Sequence, residues 1–120
     1  GNALATAAVA AAAKEIVEEN VPAKAAKAGA YLSGRLNSLK EKHSFIREVR
    51  GMGLLVGLEM KDNRAAPVIR ECLDNGLLLN AVRPNTLRFM PPLTVSNAEI
   101  DQAVKVLDAA LSKVPAPAPA

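Results

Sequence analysis

The chain has 120 residues, which suits one compact domain with a single core, and half of its residues are hydrophobic while only 2% are aromatic. This composition excludes a disordered chain and predicts a core of Leu, Val and Ala rather than of rings. The net charge of +3 would permit nucleic-acid binding, but the lysines are spread along predicted helix faces and few aromatic side chains are present to stack on bases. We therefore expect no nucleic-acid partner.

The longest apolar run, residues 3–13, is mostly alanine and shorter than the roughly 20 residues of a membrane-spanning helix. No basic region precedes it, so we expect neither a signal peptide nor a membrane anchor. The single cysteine, Cys72, has no partner for an internal disulfide and lies in an apolar helical pattern, which predicts a buried and unreactive thiol. These features favour a reducing, cytoplasmic setting without membrane contacts.

The first two elements are predicted helices. The alanine-rich stretch from about Leu4 to Glu19 has high helix propensity, and its first half has no polar face, so it should be covered on every side. The next helix opens with Pro22 in its first turn. Its core-facing stripe has spacings of three and four: Ala25, Gly29, Leu32, Leu36 and Leu39. His43 follows where this helix ends, and we expect it to be a solvated end residue without a catalytic role.

A predicted strand follows in IREVRGMGLLVGLEM, where apolar residues alternate from Leu54 to Met60. Gly51 and Gly53 within this run indicate a bulge or a close approach of another backbone segment. They do not predict a phosphate-binding loop, because a further glycine and a helix directly after them are lacking.

The second half of the chain begins with a helix that Asp62 or Asn63 can cap and that contains Val68, Ile69, Cys72 and Leu73. It should end at Gly76 in the left-handed conformation. LLLNAV and TLRFM are then two short strands around a turn at residues 83–85.

The closing helix opens with a capping box of Ser96 and Glu99. Its predicted apolar stripe consists of Ile100, Val104, Leu107 and Leu111. Residues 115–120 form a Pro-Ala tail that we expect to be extended and disordered. The order of elements predicts an α+β fold of two layers, with a small, mainly antiparallel sheet of about three strands and helices on one face.

Residues with catalytic or ligand-binding chemistry are few. Cys72 and His43 are far apart in sequence and cannot by themselves form a structural zinc site, so no metal is expected. Catalysis of the Ser-His type would depend on His43, and no serine lies in an elbow motif. The carboxylates Glu18, Glu19 and Asp62 lie on polar faces, and we interpret them as solvated surface.

Arg88 is the unusual charge, because it lies between apolar residues in LRFMPPL, in a segment that otherwise resembles a buried strand. Pro91 and Pro92 stop that strand just beyond it. From the residues alone, the favoured interpretation is that Arg88 lies at a sheet edge and its head group reaches solvent. Binding of a charged ligand by Arg88 remains the alternative.

Four blocks together resemble a known family: GNALATAAVAAAA, RGMGLLVGLEM, GLLLNAVRPNTLRFMPPL and NAEIDQAVKVLDAAL. In order and spacing, over nearly the whole chain, they are similar to the C-terminal part of class III, pyridoxal-phosphate-dependent aminotransferases, and most similar to the acetylornithine branch. The resemblance implies a large cofactor domain and a small terminal domain, and a dimer with its active site at the interface. Residues 1–20 would lead from the large domain, residues 21–114 would be the small domain, and residues 115–120 the tail.

By the same resemblance, Arg88 would bind the α-carboxylate of the amino-acid substrate. The reaction would move an amino group from an acetylornithine-like amino acid to 2-oxoglutarate, as in arginine biosynthesis. The Schiff-base lysine and the phosphate contacts of the cofactor would lie in the large domain, so this chain alone should be inactive and should hold no cofactor. The alternatives are a stand-alone amino-acid-binding regulatory module that uses Arg88, and a structural association domain whose first helix packs against a partner chain.

Overall fold

Two β-hairpins lie side by side and form a four-stranded antiparallel sheet, in a computed structural model that describes residues 1–119. The sheet order is β1-β2-β4-β3, with β1 Ile46–Met52, β2 Leu55–Met60, β3 Asn80–Arg83 and β4 Thr86–Phe89. The helices are α1 Ala3–Glu18, α2 Val21–Lys42, α3 Ala65–Asp74 and α4 Asn97–Lys113. The predicted α+β class is confirmed, with four strands instead of about three.

The additional strand comes from the glycine-rich segment, which folds back on itself instead of continuing as one strand. Gly53 lies in the turn between β1 and β2 and has a φ of +53°. Residues with a Cβ rarely adopt this backbone conformation. A Cβ at Gly51 would lie 2.2 Å from the carbonyl oxygen of Leu55, so the predicted close approach is present. A bulge at these glycines was the wrong alternative, because the register shift of this hairpin lies between Ile46 and Glu48.

One face of the sheet carries the core. Paired residues share a face, and the pairs Val49 with Leu58 and Leu58 with Leu87 place two buried leucines and the partly buried Val49 beneath the helices. The predicted stripe of α2 is buried at Gly29, Leu32, Leu36 and Leu39, with Ala25 partly buried. The predicted stripe of α4 is buried at Ile100, Val104, Leu107 and Leu111, and its capping box of Ser96 and Glu99 is formed.

The first helix lies outside this core. α1 is confirmed within a residue of its predicted bounds, begins at an Asn2 side-chain cap, and has no buried residue. Leu4 is 80% exposed. The cover that its apolar sequence calls for is not provided by the part of the chain that the structure describes.

His43 is not the solvated residue that its position at the end of α2 predicts. Its side chain is only 7% exposed, and its Nε2 lies 2.7 Å from Oδ1 of Asp108 on α4. The spacing explains the burial, because Leu36, Leu39 and His43 continue the three-and-four periodicity of the core stripe by one more step. His43 therefore connects the end of α2 to α4.

The predicted cap of α3 by Asp62 or Asn63 is also wrong. Arg64 is the N-cap residue and makes no side-chain cap bond, whereas Asp62 accepts from its Nε and Nη2 at 2.6 and 2.5 Å. Arg64 is 5% exposed and lies 3.7 Å above the Phe45 ring, so Asp62 compensates a buried charge rather than forming solvated surface. The Arg64 guanidinium holds the pKa of Asp62 below its usual value. The predicted helix end is confirmed, with Gly76 at a φ of +82°.

Residues 115–119 have no regular structure, and the last residue of the predicted tail, Ala120, lies outside the described residues. No helix among residues 1–119 is long and apolar enough to cross a membrane. Within the same residues, no group of three or more His, Cys, Asp or Glu side chains is arranged to hold a metal ion.

Candidate functional site

Arg88 lies on β4, one of the two central strands, and its position on the sheet determines where its side chain points. It is paired with Gly57 of β2 on one side and with Asn80 of β3 on the other. Its neighbours along the strand, Leu87 and Phe89, are buried against the helices. Because side chains alternate along a strand, Arg88 projects from the opposite face, which we call the open face of the sheet.

The contacts of Arg88 leave most of its guanidinium free. The side chain is half-buried, and its Nε donates a hydrogen bond to Oδ1 of Asn80 at 3.1 Å. No carboxylate within residues 1–119 forms an ion pair with it. In contrast, the buried Arg64 has a carboxylate of its own. The open face thus holds a half-buried positive charge whose terminal nitrogens are available.

The other charges near β1 and β2 neutralise one another. Glu59, with a side chain 14% exposed, accepts from Arg47 at 3.0 Å and from Arg50 at 2.7 Å. Arg50 also contacts Glu48 at 2.9 Å. The hydrogen bond from Arg50 lowers the pKa of Glu59 and outweighs the effect of burial. These two arginines and two glutamates carry no net charge, so Arg88 is not compensated by this cluster.

The chain beyond β4 is stiff where it leaves the sheet. Pro91 and Pro92 fix their backbone φ angles and donate no hydrogen bonds. The amide of Val95 then donates to the carbonyl of Pro92 at 3.0 Å and closes a turn before α4. The backbone that follows Arg88 is therefore restricted, which suits a side chain that must be held in one place.

A cavity of about 430 Å³ borders this end of the sheet. Arg88 and Asn80 contribute to its lining, but it is mainly apolar and reaches Leu32 of α2 and Ile100 of α4. Those two residues belong to the core side, whereas the strand register places the Arg88 side chain on the open face. We therefore assign the candidate site of Arg88 to the open face. The cavity is adjacent to this site but is not part of it.

The other residues considered from the sequence do not join this site. Glu18 and Glu19 are exposed and pair with Lys14 and Lys24, which confirms their assignment to the surface. Cys72 is fully buried, as predicted, and burial raises the pKa of its thiol to about 11, which favours an unreactive thiol.

The sequence does not predict that Asn80 lies beside Arg88, because this pairing depends on a register shift. The turn pairs Arg83 with Thr86, and regular pairing from there would place Ala81 opposite Arg88. A shift between Ala81 and Arg83 moves Asn80 into that position instead. An irregular hairpin of this kind has no recognisable sequence pattern here.

The comparisons with known proteins identify the class. The family model Aminotransferase class-III matches residues 1–111, so the chain belongs to the class-III aminotransferases. Among its relatives, the acetylornithine aminotransferase of Caldanaerobacter subterraneus subsp. tengcongensis is 40% identical over 114 residues, which are 95% of this chain and 29% of that protein. The acetylornithine aminotransferase of Listeria innocua is 45% identical over 95 residues, which are 79% of this chain and 23% of that protein. The chain spans less than a third of the length of these relatives.

Solved structures show the same fold. Lysine aminotransferase from M. tuberculosis superposes with a TM-score of 0.79 at 31% identity, covering 82% of this chain and 23% of that one. An S-selective transaminase from Arthrobacter sp. with alanine bound superposes with a TM-score of 0.81 at 29% identity, covering 88% and 28%. The family resemblance inferred from the four sequence blocks is confirmed.

Proposed function

We propose that this segment is the small domain of a complete aminotransferase and that Arg88 is the anchor for the substrate's α-carboxylate. The complete protein would move an amino group from an acetylornithine-like amino acid to 2-oxoglutarate. The observation that carries the proposal is the half-buried guanidinium of Arg88 on the open face, which has no carboxylate partner within residues 1–119. The names of the relatives, several of them acetylornithine aminotransferases, support this substrate class.

The chemistry of the side chain suits this role. A guanidinium is planar and can give a carboxylate two parallel hydrogen bonds, which both hold an amino acid and orient it. An arginine on a central strand is also placed more rigidly than one on a loop. Arg88 would thus fix the end of the substrate that does not react, so that the amino group lies in a constant position.

The cofactor of the class, pyridoxal phosphate, supplies the electron sink of the reaction. A Schiff base requires an unprotonated amine, which proteins obtain by burying a lysine or placing it beside another cation. Every lysine of this chain is exposed, so residues 1–119 by themselves provide no lysine with the buried or cation-flanked setting of a Schiff-base amine. We place the cofactor in the remainder of the complete protein and expect the 120-residue chain alone to be inactive.

The division of the chain and its assembly belong to the same proposal. Residues 1–20 would connect to the large domain and residues 21–114 would form the small domain. The complete enzyme would be a cytoplasmic homodimer. An association role for α1 is the second candidate function, favoured by the lack of any buried residue along that helix.

The proposal is tested by replacing Arg88 with Lys in the complete enzyme. Lysine keeps the charge but loses the two-pronged geometry. A charge-assisted hydrogen bond contributes about 1.5–3 kcal/mol, so losing one should lower kcat/KM for a carboxylate-bearing donor by roughly 10- to 150-fold. A simple amine without an α-carboxylate should be nearly unaffected, and the thermal stability should barely change.

Arg70→Lys is the matched control, because Arg70 is exposed on α3, away from the open face, and should leave both substrates unchanged. If Arg88→Lys slows both donors equally, or unfolds the protein, Arg88 is a structural residue and the carboxylate-anchor role is wrong.

A further inference from the structure

Asn80 is the single described residue whose side chain bonds to Arg88 within residues 1–119. Its Oδ1 accepts from Arg88 Nε at 3.1 Å, and the two residues face each other across β3 and β4. The register shift between Ala81 and Arg83 creates this pairing. The hairpin thus departs from regular pairing at the point that brings an amide oxygen to the guanidinium.

The hydrogen bond to Asn80 restricts how the Arg88 guanidinium can bind a carboxylate. Its five N–H groups offer a carboxylate two edges, one formed by Nε and an Nη, and one formed by the two terminal Nη atoms. The bond to Asn80 occupies Nε, so the first edge is no longer complete. Only the terminal edge keeps two free nitrogens.

We propose that Asn80 is a positioning residue that holds Arg88 so that the substrate carboxylate binds end-on, at Nη1 and Nη2. The inference rests on the proposed role of Arg88 and adds the residue that sets its orientation. Part of the conformational entropy of the Arg88 side chain is then lost during folding and does not have to be lost during substrate binding. The substrate carboxylate then binds a guanidinium that is already oriented toward it.

The neutrality of Asn80 matters as much as its position. Arg50, on the same face of the sheet, shows the opposite arrangement, because it is held by the carboxylates of Glu48 and Glu59. Those contacts neutralise its charge. An amide oxygen also accepts a hydrogen bond, but it leaves the positive charge of Arg88 available for a ligand.

The test compares Asn80→Ala with Asn80→Asp in the complete enzyme. Loss of the amide should lower kcat/KM for a carboxylate-bearing donor by about 2- to 13-fold, the range that corresponds to one hydrogen bond of ordinary strength. Asp keeps an acceptor in the same place but adds a competing carboxylate, so Asn80→Asp should cause the larger loss. A simple amine should react equally fast with both variants, which a general structural defect would not allow.

Asn37→Ala is the matched control, since Asn37 is exposed on α2 and its amide donates to the carbonyl of Ser33 in the same helix. It should leave both donors unchanged. Asn80 is itself exposed, so both of its variants should fold, and their thermal unfolding is measured alongside the kinetics.

A double-mutant cycle separates the two proposals. If Asn80 acts through Arg88, Asn80→Ala should cause no further loss in an Arg88→Ala background. A full additional loss there, or no loss from Asn80→Ala while Arg88→Ala is impaired, would overturn the positioning role and leave the anchor role standing. If Arg88→Ala does not lower the preference for carboxylate-bearing donors, both proposals are wrong.

Discussion

Gly29 and Gly34 lie on the same helix, α2, but only one of them touches another part of the chain. A Cβ at Gly29 would lie 2.0 Å from the carbonyl oxygen of Gly53, in the turn between β1 and β2. A Cβ at Gly34 would meet no atom within 4 Å. Gly29 therefore allows α2 to approach the turn between β1 and β2. Gly34 has no such role and only lowers the helix propensity of α2.

These two glycines provide a paired prediction. Gly29→Ala forces backbone against backbone and should lower the free energy of unfolding by about 1–3 kcal/mol or more. Gly34→Ala should raise it by about 0.5–1 kcal/mol, because alanine favours the helix. Urea unfolding followed by circular dichroism measures both. Equal effects of the two substitutions would contradict the close packing of α2 on the turn.

Other individual residues show why part of the site could not be predicted. Arg88 was recognisable because a charge interrupts an apolar strand, and its half-burial agrees with that pattern. Asn80 was not, because its position opposite Arg88 depends on a register shift outside regular pairing. Arg64 and Asp62 are two residues apart, and nothing in that spacing indicates that the arginine is buried over Phe45.

At the scale of elements, periodicity predicted the helices well and the first hairpin poorly. The stripes of α2 and α4 follow from spacings of three and four, because each helix buries one face. The alternation from Leu54 to Met60 is real, but it covers only β2 and the turn residue before it, and β1 lies outside it. The turn before it depends on a positive φ at Gly53, and a glycine in a strand-like run is equally compatible with a bulge.

α1 is the element whose sequence and surroundings disagree most. It is apolar along its first half, yet Leu4, Val9 and Val17 are all exposed. A helix of 16 residues is marginal in water without packing on a partner. A surface of this kind promotes association when nothing covers it.

We therefore expect the isolated 120-residue chain to associate in a concentration-dependent manner, or to show rapid amide exchange along α1. Val9→Gln should weaken the association seen by sedimentation, because it places a polar group in the middle of the apolar surface. Lys105→Gln, on the exposed part of α4, is the control and should have no effect. A monomer in which α1 is fully protected from exchange would contradict this expectation.

At the scale of the whole molecule, the sheet separates two environments. Its helix-covered face forms the core, while its open face carries Arg88 and the neutral cluster around Glu59. The hydrophobic core lies on the helix-covered side, so the guanidinium of Arg88 on the open face is not needed to fill it. Under the proposed function, the open face would form one side of the substrate site, and the rest of the complete protein would supply the remainder.

The same division predicts how the chain responds to the cofactor. Because every lysine is exposed, pyridoxal phosphate added to the 120-residue chain should form only slow adducts, spread over several lysines after borohydride reduction. In the complete enzyme, reduction should trap one equivalent at a single lysine outside these residues, and peptide mapping by mass spectrometry distinguishes the two cases. Stoichiometric trapping at one lysine within residues 1–120 would show that this segment carries the reacting amine. The assignment of the cofactor to the remainder of the protein would then be wrong, while the anchor role of Arg88 would still be decided by its own substitution.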